Sequence, residues 1–252
     1  MHLPDILLSI AFLVVALLYA SVGQAGGTGY VAVMGVLGLA PDVIKPAALA
    51  LNVLVASIAC WRFHRAGLMT WRTCYPFAIL GAPFSLLGGA TNLPATIYQP
   101  VVGALLLIAA GQMLVSARGA VDKAAAAQPP FVRSLIVGGG IGYISGITGV
   151  GGGIFLAPLV LALGWIGTRQ AAGASAAFNL LNSATALAGV WATMPALPSE
   201  LPIWLLSVGL GGFIGSWLGA RHLPPKVMRL LLALLLLVAG VRMLATSFFL
   251  YF

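Results

Sequence analysis

Ser145 to Gly153 reads SGITGVGGG, and IFLAPLVLAL (Ile154 to Leu163) follows it directly. Each glycine weakens a helix by about 1 kcal/mol relative to alanine. Five glycines in nine residues therefore break the helix amid the most hydrophobic part of the chain. SVGQAGGTGY (Ser21 to Tyr30) does the same near the start. A break of this kind in an apolar environment exposes backbone N–H and C=O groups, which protein or ligand must satisfy.

Composition makes that environment a bilayer. Of 252 residues, 61% are hydrophobic and 6% charged, and the mean hydropathy is +1.09. A soluble domain carries roughly a quarter charged residues. Apolar runs of helix length recur without strand alternation, so the spans are helices. ILLSIAFLVVALLYA (Ile6 to Ala20) lacks a basic flank, the first Lys or Arg being Lys45, and reads as part of the fold rather than a cleaved leader. Cys60 and Cys74 have no metal-ligand spacing and read as unpaired thiols. The net charge of +8 is scattered between apolar runs as topology signals are, which leaves the lipid bilayer as partner and excludes nucleic acid.

The chain is written twice. Tyr19, Ser21, Gly27 and Gly29 match Tyr143, Ser145, Gly151 and Gly153 at one constant spacing, which also places Lys45 on Arg169. At a wider spacing GATNLP (Gly89 to Pro94) meets GARHLP (Gly219 to Pro224), and the runs ending at Leu114 and Leu244 coincide. The halves are residues 1–118 and 131–252, joined by a polar linker, 119–130. Basic residues collect on the cytoplasmic side. WRFHRAGLMTWR (Trp61 to Arg72) is basic while its counterpart around Glu200 is not, and the next pair of loops reverses, RHLPPKVMR (Arg221 to Arg229) being the basic one. Equivalent loops thus face opposite sides. The predicted fold is an all-α integral membrane protein of two inverted-topology repeats, each a short helical hairpin with a Gly-rich tip plus about three transmembrane helices. The hairpin arms are predicted at about 131–147 and 153–165, and at 5–22 and 27–39, with helices beginning at Gly151 and Gly27. Both arms read as too short to cross comfortably, so the tips end near the midplane. The linker is cytoplasmic and both termini periplasmic.

Such tips suit anions. A helix N-terminus offers unpaired N–H groups and the positive end of its dipole. Gly26, Gly27 and Gly29, and Gly149, Val150, Gly151, Gly152 and Gly153, let an oxyanion approach the backbone, while Gln24, Thr28 and Thr148 add neutral donors. Asn52 and Asn179 lie on the helices that follow and are candidates for substrate contact; Asn182 shares the face of Asn179. Asn52 has either one as its counterpart. Lys45 and Arg169 either draw anions toward the tips or anchor helix ends at the interface. Arg242 falls inside the last apolar run, opposite Gln112. Upstream, VGGGIGYISG reads as small residues for helix packing. The glycine runs fit neither a Walker loop nor a dinucleotide fold: no Gly-Lys-Ser/Thr follows, and no strand–helix–strand context surrounds Gly27. All four acids fall at ends or in loops, and no Ser/His constellation or metal cluster is present. The chain reads as no enzyme, with no cofactor and no metal.

GQAGGTGY and GVGGGIFLAPLV, each followed by a basic residue and an Asn-bearing helix, resemble the sulfite exporter TauE/SafE family, over about residues 5–250. The first motif departs from the second, with Thr28 where Gly152 stands and Met34 where Pro158 stands. The resemblance implies a multi-pass transporter of the bacterial inner membrane that exports sulfite or organosulfonates such as sulfoacetate. The small anionic substrate is a compact oxyanion, and inside-negative potential favours its exit. An anion channel and a non-transporting membrane scaffold are the rival readings; monomer and homo-oligomer are both left open.

Overall fold

The computed structural model describes residues 3–21, 24–67, 69–117, 129–166, 168–193, 198–219 and 225–249. They form ten helices: α1 (Leu3–Ser21), α2 (Gly27–Val36), α3 (Pro41–Arg65), α4 (Trp71–Ala90), α5 (Ala95–Ala117), α6 (Phe131–Thr148), α7 (Gly153–Ala162), α8 (Thr168–Thr193), α9 (Leu201–Gly219) and α10 (Pro225–Phe249). Most of the linker, 119–128, lies outside the described residues, as do Arg118 before it and the chain ends.

The lengths run 19, 10, 25, 20 and 23 residues, then 18, 10, 26, 19 and 25. α4 lies on α6 and α9 on α1, α2 packs on α10 and α7 on α5, and α3 pairs with α8 as α5 does with α10. Asn52 bonds to Asn179 and Ser183, while Leu49, three residues earlier, clusters with Ala186 and Val190. α3 and α8 therefore run antiparallel. So do α5 and α10, where Gly103 faces Gly240 and Leu244, and Leu107 faces Gly240.

Four helices among the described residues are long and apolar enough to cross a bilayer: α3, α4, most of α5, and α6. Outward faces carry Leu206, Ile136 and Val115, each about two-thirds exposed, as lipid-facing side chains are. The hairpin expectation needs correction here. At 1.5 Å per residue α6 is about 27 Å long, more than the half-thickness that a midplane tip requires, whereas α2 and α7 are about 15 Å. Only the second arm of each pair is short. Nor do the arms pack mainly on each other: α6 lies on α4, and α7 on α8.

The short helices also end earlier than 39 and 165, for one reason. Gly38 (φ 74°) and Gly164 (φ 65°) adopt the left-handed conformation. Leu39 N–H then reaches Met34 O at 3.1 Å, and Trp165 N–H reaches Val160 O at 3.0 Å, the Schellman closure of a helix C-terminus.

Glycine has a different use on α6. Gly138, Gly142 and Gly146 press against the backbone carbonyls of Phe77, Gly81 and Ser85 on α4, and Gly211 and Gly215 of α9 press against those of Leu13 and Leu17 on α1. Small residues four apart let helix backbones touch, and dispersion contacts then hold them in lipid. A Gly142→Leu substitution should cost about 3 kcal/mol and broaden the size-exclusion profile, whereas Gly140→Leu, with open space around it, should elute like the wild type.

Candidate functional site

The first tip is built on Tyr19. Its carbonyl accepts from Gln24 N–H at 2.9 Å, and its hydroxyl pairs with that of Thr28 at 2.7 Å. Gly26 turns the chain with φ 95°, and the Tyr30 hydroxyl ties back to Ala25 O at 3.1 Å. Gly27 and Thr28 open α2, where the first N–H groups of a helix have no acceptor within it, and both residues line a cavity.

The second tip ends α6 with Gly149 (φ 75°), whose N–H bonds to Ser145 O at 2.9 Å. Gly151 (φ 79°) then redirects the chain, and α7 begins at Gly153 with Gly152 as its N-cap. The helix thus starts two residues later than the expected Gly151. Counterparts follow from this: α2 opens at Gly27 and α7 at Gly153, so Gly27 answers to Gly153. Asn52 and Asn179 are each the twelfth residue, near the middle, of α3 and α8. The counterpart of Asn52 by this count is Asn179 rather than Asn182.

The tips touch. Gly27 lies directly against the Val150 carbonyl with the Asn52 amide beneath it, and Gly151 sits between the side chains of Asn52 and Asn179. Asn52 Nδ2 donates to Asn179 Oδ1 at 3.1 Å and to Ser183 Oγ at 2.7 Å. Asn179 Oδ1 also accepts the Gly153 N–H at 3.3 Å, and Ser175 donates to Gly153 O at 3.0 Å. Asn179 is thus an N-cap supplied from another helix. It engages one N–H of α7.

Around this contact lies a cavity of about 170 Å³. A single water needs roughly 10–15 Å³, so it has room for a solute of several heavy atoms. Gln24, Gly26, Gly27, Thr28, Val150, Gly151, Gly153 and Asn179 line it, and all were expected site residues. The others stand behind the wall. Gly29 packs on Val15 and Tyr19, Gly149 on the Lys45 backbone, and Gly152 on Phe178 and Asn182. Asn52 is wholly buried and supports the tips from below. Thr148 is no donor to the cavity, since its hydroxyl bonds to Ile144 O at 2.7 Å in its own helix.

Gln112, Ser175 and Tyr19 join the wall without having been expected there. Gln24 and Gln112 each hold a buried amide oxygen with no donor. A half-turn of the amide presents its NH₂ instead, so both can adapt to a bound solute. Alignment of Gln112 with Arg242 was the one signal in the sequence that could have drawn attention to α5.

The profile of the family described as "Sulfite exporter TauE/SafE" matches residues 8–243. The chain belongs to the sulfite exporter TauE/SafE family. It is also 47% identical over 242 residues to "Probable membrane transporter protein y4hK" of Sinorhizobium fredii (strain NBRC 101917 / NGR234), covering 94% of this chain and 97% of that protein. No solved structure matches it. Within the matched residues, GVGGG (Gly149 to Gly153) is the segment whose Gly151 lies between the two asparagines.

Lys45 was expected either to draw anions or to anchor a helix end. It is 3% exposed, and its ammonium donates to the carbonyls of Gly88 (3.0 Å), Gly89 (2.6 Å) and Thr91 (2.7 Å). It caps the C-terminus of α4, where orphan carbonyls and the negative end of the dipole collect, and is not an entry residue in this arrangement. The Arg169 side chain lies outside the described residues.

Gly151→Ala combines a left-handed φ with a methyl group driven into both asparagine amides. Transport should fall at least about tenfold, the effect of one 1.4 kcal/mol contact, while the purified protein still elutes as a single species. Unchanged flux in proteoliposomes would remove Gly151 from the site.

Proposed function

We propose that this chain is a secondary transporter that exports a small sulfur oxyanion or organosulfonate, of the sulfite or sulfoacetate kind, across the bacterial inner membrane. The observation that carries the reading is the meeting of two helix starts at one cavity whose described lining holds polar side chains but no charged one. Oxyanions accept several such bonds, and neutral donors hold them weakly enough to let go.

The antiparallel course of α3 and α8, and of α5 and α10, supports an inverted repeat. Depth follows from helix length. Asn52 and Asn179 mark the middles of helices of 25 and 26 residues, and a ten-residue helix starting there covers the half-thickness of a bilayer, about 15 Å. The tips then lie near the midplane, with α7 returning to the cytoplasmic side and α2 to the periplasmic side. Arg62, Arg65 and Arg72 mark the cytoplasmic face; the linker belongs there too, and both termini to the periplasm.

Export by alternating access then needs no coupling ion. An inside-negative potential favours anion exit by about 2.3 kcal/mol per charge per 100 mV, close to a fifty-fold concentration ratio for a monovalent ion. Proteoliposomes loaded with sulfite or sulfoacetate should release it when the interior is made negative with a potassium gradient and valinomycin, and should take it up when the gradient is reversed. Flux that follows a pH gradient and ignores the imposed potential would contradict this driving force. Trans-stimulation marks a carrier; its absence, with unsaturable flux, marks a channel.

A further inference from the structure

A second cavity, of about 90 Å³, lies among α2, α3, α5 and α10, with Gly35, Ile44, Gln99, Arg242 and Met243 in its wall. Four of these positions have counterparts in the large cavity when residues are counted from the start of each helix. Gly35 and Leu161 are both ninth, Ile44 and Ala171 both fourth, Gln112 and Arg242 both eighteenth, and Met113 and Met243 both nineteenth. The small cavity is the image of the outer part of the large one, on the opposite side of the Asn52–Asn179 crossing.

The two ends of the α3–α8 pair differ. At one end Ala59 of α3 and Ala172 and Ala176 of α8 line the large cavity. Their counterparts by the same count are Ala186, Lys45 and Leu49. Leu49 and Ala186 pack against each other and Val190, almost wholly buried. Lys45 straps this closed end to α4 through three carbonyls.

Building on the transport reading, we propose that the small cavity is the closed outer end of the pathway, that Leu49, Ala186 and Val190 are its gate, and that opening the gate assembles a second anion site from Lys45 and Arg242. The charge pattern carries the site. Where the inner vestibule has Ala172 and Gln112, the outer one receives a lysine and an arginine. Lys45 leaves the α4 carbonyls as α3 and α8 separate at that end and faces the vestibule, as Ala172 does at the open end. Guanidinium and ammonium together recognise a sulfonate, sulfite or other oxyanion by charge-assisted hydrogen bonds.

The gate can be tested without knowing the transported solute. Cys60 and Cys74 are buried thiols; both are replaced by serine, and single cysteines are placed at Ala59, Leu49 and, as an exposed reference in the α4–α5 turn, Asn92. A membrane-impermeant maleimide should label Ala59→Cys in inside-out vesicles, and Asn92→Cys but not Leu49→Cys from outside. Adding Lys45→Met should speed outside labelling of Leu49→Cys at least about tenfold, a 1.4 kcal/mol shift in the gate equilibrium.

Arg242→Gln supplies a second measurement should Lys45→Met fail to fold. The external sulfite concentration that half-saturates counterflow should rise about tenfold while the internal value stays put. Leu49→Cys that labels as fast as Asn92→Cys without the strap mutation, or unchanged external affinity in Arg242→Gln, overturns the proposal. A labelling pattern that holds while neither sulfite nor sulfoacetate moves upholds the gate and contradicts only the substrate assigned above.

Discussion

Everything in this fold answers to one contact, the backbone of Gly27 against the backbone of Val150. Two stretches of irregular chain meet in an apolar interior, where each unsatisfied peptide group costs several kcal/mol. Asn52 and Asn179 resolve the problem together. One amide bonds the other and Ser183, and the second also caps α7. Glycine is required at 27 and 151 because side chains there would displace these very groups, and α3 and α8 must be long because their middles have to lie where the tips meet.

The proposed anion site needs no fixed charge at its centre. Helix starts supply N–H groups already aligned and poorly satisfied, and the amides of Gln24 and Gln112 can turn to suit. The two tips differ, since Asn179 engages the Gly153 N–H whereas Gly27 and Thr28 open α2 at the cavity wall. Charge sits at the periphery instead: Lys45 on the α4 carbonyls and Arg242 beside the small cavity.

The sequence disclosed the helical class and the two tips because a cluster of glycines in an apolar run interrupts the helix wherever it falls. Most residues of the tips that line the cavity were legible for the same reason. What it could not disclose was spatial. Letter matching aligned Gly27 with Gly151, but hydrogen bonding starts α7 at Gly153, so the register of the two tips emerges only from the Asn52–Asn179 pairing. Thr148 read as a free donor because nothing in a sequence shows a hydroxyl bonding back to its own helix. Lys45 read as an entry or interface residue because a buried ammonium needs three carbonyls from a distant helix end. Gln112 was hidden because one amide in an apolar helix is a signal without a face.

The central claim is that the N–H groups opening α2 and α7 hold the solute. The most direct measurement is the ¹H–¹⁵N resonances of Gly27, Thr28 and Ile154 in the detergent-solubilised protein during titration with sulfite. The account predicts saturable shifts at these amides with one common Kd, larger at α2 than at α7. Shifts confined to loop residues, with the tip amides unmoved at saturating sulfite, would contradict it.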